Sequence, residues 1–317
     1  MEKLNYSLSV IVCTYNRAFL IHYLLDSLAA QEKCIFDYEV IIVDNNSKDH
    51  TESLVKSYCS KYANWYYIFE KIQGLSTARN KGCKKSIGDY IIYMDDECIL
   101  PENYLQTASR IIQYYSPDFF GGPLYPYYHF KKPVWMKDAY FGHNIMTKKG
   151  YLTDSFLSGG NLGIKKKVLY ELGGFNPAFG VKGNKPGIGE DTLIQIEAKK
   201  LYSDIRIFFE PDLWSYHKEP IYKFQLSYSI RKSLMAGKQR RELTYFVDPD
   251  SWILRKGIVI SFKKATRLII QVCILIYKLS IIFFRNRSIY PYWQNYYYEE
   301  IKNEIYRFGF YFASAIK

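Results

Sequence analysis

The sequence predicts an α/β fold with a mostly parallel central sheet flanked by helices; two observations predict it, and a third narrows its chemistry. Apolar runs of strand length alternate with amphipathic segments of helix length through the first hundred residues. Each of those runs ends in turn-forming or acidic residues, as strand termini do in open parallel sheets. Neither GxGxxG nor GxxxxGK[ST] occurs, which argues against a dinucleotide oxidoreductase or a P-loop enzyme.

The elements follow in order. "LSVIVCTYN" (8–16) is a buried apolar strand, and "AFLIHYLLDSLAAQ" (18–31) carries Leu20, Tyr23, Leu24, Ser27 and Leu28 at helical spacing. "DYEVIIVDNNSKD" (37–49) is a second strand breaking into a turn, with Asp49 or Thr51 placed to cap the helix after it. "WYYIFEK" (65–71), "GLSTARNKGCKKS" (74–86) and "DYIIYMD" (89–95) give strand, helix and strand. Residues 105–150 read as less regular and aromatic-lined. "FLSGGNLGIKKKVLYELGGFNP" (156–177) is a glycine-rich turn, a strand and a helix closed by Gly173-Gly174. "GIGEDTLIQIEAKK" (187–200) begins a helix at an acidic pair, and its two leading glycines suit a loop that closes over a ligand. "RIFFEPDLWSYH" (206–217) is a strand pair broken by Pro211.

The charge is uneven. Residues 1–217 carry 25 Lys+Arg against 24 Asp+Glu, and residues 218–317 carry 18 against 7, so the net +12 belongs almost wholly to the last hundred residues. This marks a nearly neutral α/β domain over 1–220 and a helical, basic extension over 221–317. A basic extension suits an anionic membrane surface, a nucleic acid or a merely solvated face. Within it, Arg255 to Arg287 reads as one apolar helix bearing a stripe of Lys256, Lys263, Arg267, Lys278 and Arg285. The run 268–284 is marginal for crossing a bilayer. The stripe and the following "SIYPYWQNYYYEE" favour a helix lying in the interface, with a core helix as the alternative. The expectation is attachment to an anionic membrane surface and no nucleic acid. Six scattered cysteines without a CxxC pair argue against a disulfide framework and a zinc site, and point to a reducing compartment. With no cleavage pattern at the N-terminus, the expected location is cytoplasmic, peripheral on the cytoplasmic face.

The chemistry gathers at strand ends. Asp95, Asp96 and Glu97 would repel one another unless a cation lay among them, and adjacent carboxylates suit Mg²⁺ or Mn²⁺ holding a diphosphate. Asp44 suits either a turn or an acceptor for a base or ribose. Arg79-Asn80 offers a guanidinium fork for phosphate or base, or is a helix-surface pair. Glu190-Asp191 is either a helix N-terminal pair or a general base. His217 is a structural histidine or a metal ligand.

The blocks "SVIVCTYNR", "VIIVDNNSKD", "GLSTARNKG", "YIIYMDDECILPENYL", "SGGNLGIKKKVLYELGGFNPAFG", "GEDTLI" and "FEPDLWSYHKE" occur in an order that resembles the family 2 glycosyltransferases over about residues 7–220. The resemblance implies a GT-A fold and inverting transfer of a sugar from a nucleotide-sugar donor to a hydroxyl of a glycan or lipid-linked saccharide. Cell-surface polysaccharide synthesis is the implied setting. By position it implies that Thr14, Tyr15, Asn16, Arg17, Asp44, Arg79 and Asn80 meet the nucleotide. Asp95, Asp96 and Glu97 occupy the metal motif, where Glu97 departs from the usual Asp, and His217 completes it. Gly159, Gly160, Asn161 and Glu190 line the donor sugar or acceptor, and Asp191 is the base. A metal-dependent nucleotidyl or phosphosugar transferase, and a non-catalytic nucleotide-sugar-binding protein, are the alternatives.

Overall fold

A computed structural model describes residues 7–32, 34–141, 147–183, 185, 187–247 and 258–316. The chain divides into an α/β unit (1–127, 143–185 and 190–218) and a helical unit (128–142, 186–189 and 219–317). The helical unit thus includes two segments from within the first 220 residues, which a charge count along the chain cannot register.

In the α/β unit, β1 (Ser7–Thr14), β2 (Asp37–Asp44), β3 (Trp65–Phe69) and β4 (Tyr90–Asp95) run parallel in the order β3-β2-β1-β4. They are joined by α1 (Ile21–Ala29), α2 (Thr51–Cys59) and α3 (Leu75–Lys85). Both faces of this sheet are covered, which is why its strands are continuous apolar runs. Val10, Val12, Val40, Ile42 and Ile92 pack on one side with Leu24, Leu25 and Leu28. Ile11, Ile41, Val43, Ile91 and Tyr93 pack on the other with Ala78 and Cys83. The face of α1 is one residue round from the expected one: Ile21, Leu24, Leu25 and Leu28 are buried, while Tyr23 is turned out and carries Lys218 Nζ 3.3 Å from its ring centroid.

After the short strand β5 (Cys98–Ile99) comes α4 (Tyr104–Tyr115), a helix in a stretch the sequence reads as irregular. Its signal was Leu105, Ala108, Ile111 and Ile112, all buried on one stripe. β6 (Phe119–Gly121), β8 (Gly150–Tyr151), β9 (Asn161–Lys165) and β10 (Ile207–Phe209) extend the sheet beyond β4 in the order β9-β6-β10-β8, with β9 antiparallel to β4 and β6. α5 (Lys166–Glu171) and α6 (Glu190–Leu201) cover them. A small second sheet sets β11 (Ser215–Lys218) between β5 and β7 (Leu124–Tyr127), with His217 opposite Cys98. Register then fixes the site: Thr14 lies opposite Asp44, and Cys13 opposite Asp95, so three strands end level.

The helical unit contains α7 (Leu226–Val247), α8 (Ile258–Ser280), α9 (Trp293–Tyr296) and α10 (Lys302–Ile316), with a π turn over Tyr297–Ile301. α7 and α10 cross at glycines. A Cβ on Gly237 would lie 1.9 Å from Tyr306 O, and one on Gly309 would lie 2.4 Å from Leu234 O. Two expectations change here. Tyr296, Tyr297 and Tyr298 of the aromatic cluster are core residues, with Tyr298 stacked on Tyr140 at 4.6 Å. Lys278 of the basic stripe faces Glu300 (3.2 Å) and Glu304 (3.1 Å), because a half-buried ammonium is best held by carboxylates. Lys256 and the side chain of Lys263 lie outside the described residues. Among the described residues no helix is long and apolar enough to cross a membrane.

Candidate active site at the strand ends

The loops after β1 and β2 are stitched together by their own polar residues. Asn16 and Asn46 adopt positive φ (53° and 69°), a conformation asparagine tolerates better than most residues. The Asn16 N–H donates to Ser47 Oγ (2.9 Å), the Lys48 N–H to Asn16 Oδ1 (2.7 Å) and the Arg17 N–H to Thr51 Oγ1 (3.1 Å). Asp49 Oδ1 accepts the Thr51 N–H at the start of α2, but the N-cap position falls on His50, which makes no side-chain capping bond, so neither Asp49 nor Thr51 is the cap. Asp44 is buried, its carboxylate accepting from the Ser47 N–H (2.8 Å) and the Tyr67 hydroxyl (3.0 Å).

These loops wall a cavity of ≈ 220 Å³. Thr14, Tyr15, Arg17, Asp95, Asp96 and Glu97 line it, as does Asn45, the neighbour of Asp44. Cys13, Leu75, Ala78, Val181 and Gly183 complete the lining, and sequence reasoning picked out none of them. Burial pushes the Cys13 thiol up to about 12, so it contributes volume and no charge.

The three crowded acids each face a different base. Asp95 lies 3.7 Å from Arg79 Nη2, Asp96 lies 3.8 Å from Arg17 Nε, and Glu97 Oε1 lies 3.0 Å from His217 Nε2. Among the described residues no three His, Cys, Asp or Glu side chains converge on one point where an ion would sit. Burial raises Asp96 to about 7, against the lowering effect of Arg17 and of the Thr14 hydroxyl, with Glu97 and Asp95 adding to the rise. Asp95 is partly exposed, at 37 % of its side chain.

Arg79 organises the other wall. It is buried, donates to Glu190 Oε1 (2.9 Å) and Gly159 O (3.0 Å), and lies over the rings of Phe175 and Tyr93. Glu190 is lifted to about 7 by burial and by adjacent Asp191, with Arg79 opposing. Asp191 Oδ2 accepts the Gly159 N–H (2.8 Å), and Oδ1 accepts the Thr192 N–H (2.7 Å) at the start of α6. The Gly159-Gly160 pair is dictated by these carboxylates. A Cβ on Gly159 would lie 3.0 Å from Asp191 Cβ and Arg79 Nη2, and one on Gly160 would lie 2.4 Å from Asp95 Oδ2.

Two expected site residues are engaged elsewhere. Asn80 holds the turn after α5 through both its amide groups, donating to Phe175 O (2.7 Å) and accepting the Phe175 N–H (2.8 Å). Asn161 is buried, donates to Leu213 O (2.7 Å) and accepts from the Tyr104 hydroxyl (2.5 Å). The arrangement brings Asp95, Asp191 and Arg79 against a single glycine turn, beside a cavity whose mouth carries the partly exposed Arg17.

The profile described as Glycosyl transferase family 2 matches residues 9–173. Glycosyltransferase AglE of Haloferax volcanii is 31% identical over 115 residues, 36% of this chain and 38% of that protein. Minor teichoic acid biosynthesis protein GgaB of Bacillus subtilis is 32% identical over 109 residues, 34% of this chain and 12% of that protein. The matches thus span well under half of these relatives' length. Among solved structures, mannosyltransferase PcManGT from Pyrobaculum calidifontis, in complex with GDP-Man and Mn²⁺, superposes with a TM-score of 0.57 at 17% identity. It covers 96% of this chain and 73% of its own. S. aureus TarS 1-349 with UDP-GlcNAc gives 0.56 at 18%, covering 96% and 90%. These likenesses carry the fold: a mostly parallel central sheet flanked by helices, of the GT-A type.

Proposed function

We propose, starting from a chain that belongs to glycosyl transferase family 2 by its match over residues 9–173, that it moves a sugar from a nucleotide-sugar donor to an acceptor hydroxyl with inversion. The observation that carries this reading is the Gly159-Gly160 turn, on which Asp191 and Asp95 both press. Inversion requires a base on one side of the anomeric carbon and positive charge on the leaving diphosphate at the other. Asp191 takes the acceptor proton as the new C–O bond forms, and the bond to the diphosphate breaks to release a nucleoside diphosphate. The two N–H bonds to Asp191 fix its orientation, and Arg79 holds Glu190 and the Gly159 carbonyl in place behind it. Arg17 faces the diphosphate from the cavity wall.

The donor set fits a hard divalent cation. Asp95 offers a partly exposed carboxylate, and burial of Asp96 among acids creates a demand for positive charge. A cation of this kind is often bound by one or two carboxylates plus substrate phosphates, so a complete protein cage is not required. Asp95 and Asp96 would hold Mn²⁺ or Mg²⁺, with Glu97 and His217 behind them, and the cation would supply charge to the leaving diphosphate. Asn45 would meet the nucleotide from the cavity wall, with Asp44 behind it bracing the loop, and Asn80 and Asn161 position the turns around it.

The acceptor in this reading is a glycan or lipid-linked saccharide in cell-surface polysaccharide synthesis, an assignment supported by the name of the GgaB relative. Residues 1–220 serve as the catalytic domain, and residues 221–317 attach it to the cytoplasmic face of an anionic membrane. On α8 and the turn after it, Ile269, Ile270, Ile276, Tyr277, Phe283 and Phe284 are exposed, an apolar stripe suited to the interface. Flotation with anionic liposomes checks attachment, and recovery of all protein in the bottom fraction contradicts it. Product analysis with a membrane extract tests the reaction. Release of a nucleoside diphosphate supports sugar transfer, and exchange of pyrophosphate establishes nucleotidyl transfer instead.

A further inference from the structure

The three-stranded sheet of the α/β unit has two unlike faces. Pleating sends Cys98, Leu124, Ser215 and His217 to one of them. This face backs the site. His217 Nε2 lies 3.0 Å from Glu97 Oε1, the Cys98 thiol donates to Gly160 O (3.7 Å), and a Cβ on Gly160 would lie 3.3 Å from Leu124 Cδ1.

The alternate positions turn the other way, and four of them are aromatic: Tyr125 and Tyr127 on β7, Trp214 just before β11 and Tyr216 within it. Their rings form one row, with centroids 6.2 Å apart from Tyr125 to Trp214, 5.0 Å to Tyr216 and 5.8 Å to Tyr127. Tyr216 and Tyr127 are 40 % and 39 % exposed, and the other two rings are half-buried. A contiguous row of rings within reach of solvent marks a binding surface.

The chemistry of the row selects its occupant. The rings are rigid, and each has a polar edge, a hydroxyl on the three tyrosines and an N–H on Trp214. A pyranose is built alike, with C–H groups on its faces and hydroxyls around its rim. The spacing of the rings is close to the length of one sugar residue in a chain. Lys218, which shares this face of β11, is buried with its Nζ over the Tyr23 ring, so the row offers no free cation to a phosphate.

We propose that this row is an acceptor platform, stacking on the sugar rings of a glycan whose terminal hydroxyl is presented to Asp191. The proposal rests on the sugar-transfer reading and adds the class of acceptor. Because the row lies across the sheet from the Gly159-Gly160 turn, the acceptor is a chain of several sugars and not a single one.

Calorimetry on the full chain without donor tests it, with cellohexaose, maltohexaose, chitohexaose and glucose as probes. At least one hexasaccharide should bind, and more tightly than glucose. Trp214→Ala and Tyr216→Ala should each weaken that binding about tenfold, the order of one aromatic contact. Tyr216→Phe keeps the ring and should stay within about threefold of the parent, and Tyr114→Ala, an exposed ring on α4, should leave binding unchanged. If either alanine variant fails to melt cooperatively, Tyr127→Ala takes its place. Failure of every hexasaccharide to bind, or equal affinity in parent and alanine variants, overturns the proposal. Equal affinity joined to altered sedimentation of the variants assigns the row to contact between copies instead. With no donor present, neither result touches sugar transfer itself, which fails separately if product analysis finds no nucleoside diphosphate.

Discussion

At the strand ends of the α/β unit five carboxylates gather around Arg17, Arg79 and His217, whereas a cavity of the helical unit is lined by three lysines and no carboxylate. The charged side chains that line the two regions are thus predominantly of opposite sign. Burial acts on both: it lifts Asp96 and Glu190 to about 7 and lowers Lys302 to about 8. Burial penalises the charged form of either sign, which is why the carboxylic acids shift up and the ammonium shifts down. The glycines differ in the same way. Gly159 and Gly160 give way to side chains of the site, while Gly237 and Gly309 give way to backbone at a helix crossing.

The largest expected effect lies in the α/β unit. Asp191→Asn keeps an oxygen that accepts the Gly159 N–H but removes the proton acceptor, so transfer should fall by roughly 10²-fold or more with donor affinity intact. Initial rates beside donor titrations check this, and near-parental turnover would remove Asp191 from the mechanism. In the helical unit, Gly237→Ala forces a Cβ onto Tyr306 O at 1.9 Å and should destabilise by about 1–3 kcal/mol or more. Urea denaturation reads that loss, while donor affinity should be kept. Gly160→Ala should do the reverse, displacing Asp95 and weakening donor binding more than stability. If both alanines acted alike, the distinction between the two glycine sets would collapse.

Glu97→Ala removes the partner of His217 and one of three crowded acids. Cation-dependent affinity for a nucleoside diphosphate should drop about tenfold, in line with one charged interaction, without unfolding. Calorimetry with and without Mn²⁺ decides it, and identical affinities under both conditions in both proteins would defeat the cation assignment. The last effect is on pH and is read on stability alone. The folded-state pKa of Asp96 stands near 7, above its ordinary 3.8. The native state therefore favours the protonated acid, a contribution complete below about pH 4 and lost as pH rises through about 7. Thermal midpoints of ligand-free protein should decline from about pH 5 to pH 8 more steeply than those of Asp96→Asn. Parallel curves would show that Asp96 ionises freely.

Much of the α/β unit was legible because its strands are buried on both faces and so read as unbroken apolar runs. "SVIVCT" and "YIIYMD" needed no context. α4 was missed because aromatic and glycine-rich residues after it masked a stripe of only four apolar positions. The helical unit was harder. Tyr296 to Tyr298 read as interfacial, since sequence does not say that Trp135 and Tyr140, some 160 residues earlier, pack against them. In the site the acids were visible, but their division among Arg79, Arg17 and His217 depends on register between strands remote in sequence. Asn80 and Asn161 matched the expected motifs, yet their amides hold turns, which only hydrogen-bond geometry reveals.

The central claim is that the strand-end cavity holds a nucleoside diphosphate through Asp95 and a divalent cation. Its most direct test is the thermal midpoint of the full chain and of Asp95→Asn with uridine, guanosine, adenosine, cytidine and thymidine diphosphates, each with and without Mn²⁺. The account predicts that at least one diphosphate raises the midpoint only when Mn²⁺ is present, and that Asp95→Asn abolishes the rise. A midpoint unmoved by every diphosphate, or raised equally in Asp95→Asn, would contradict it.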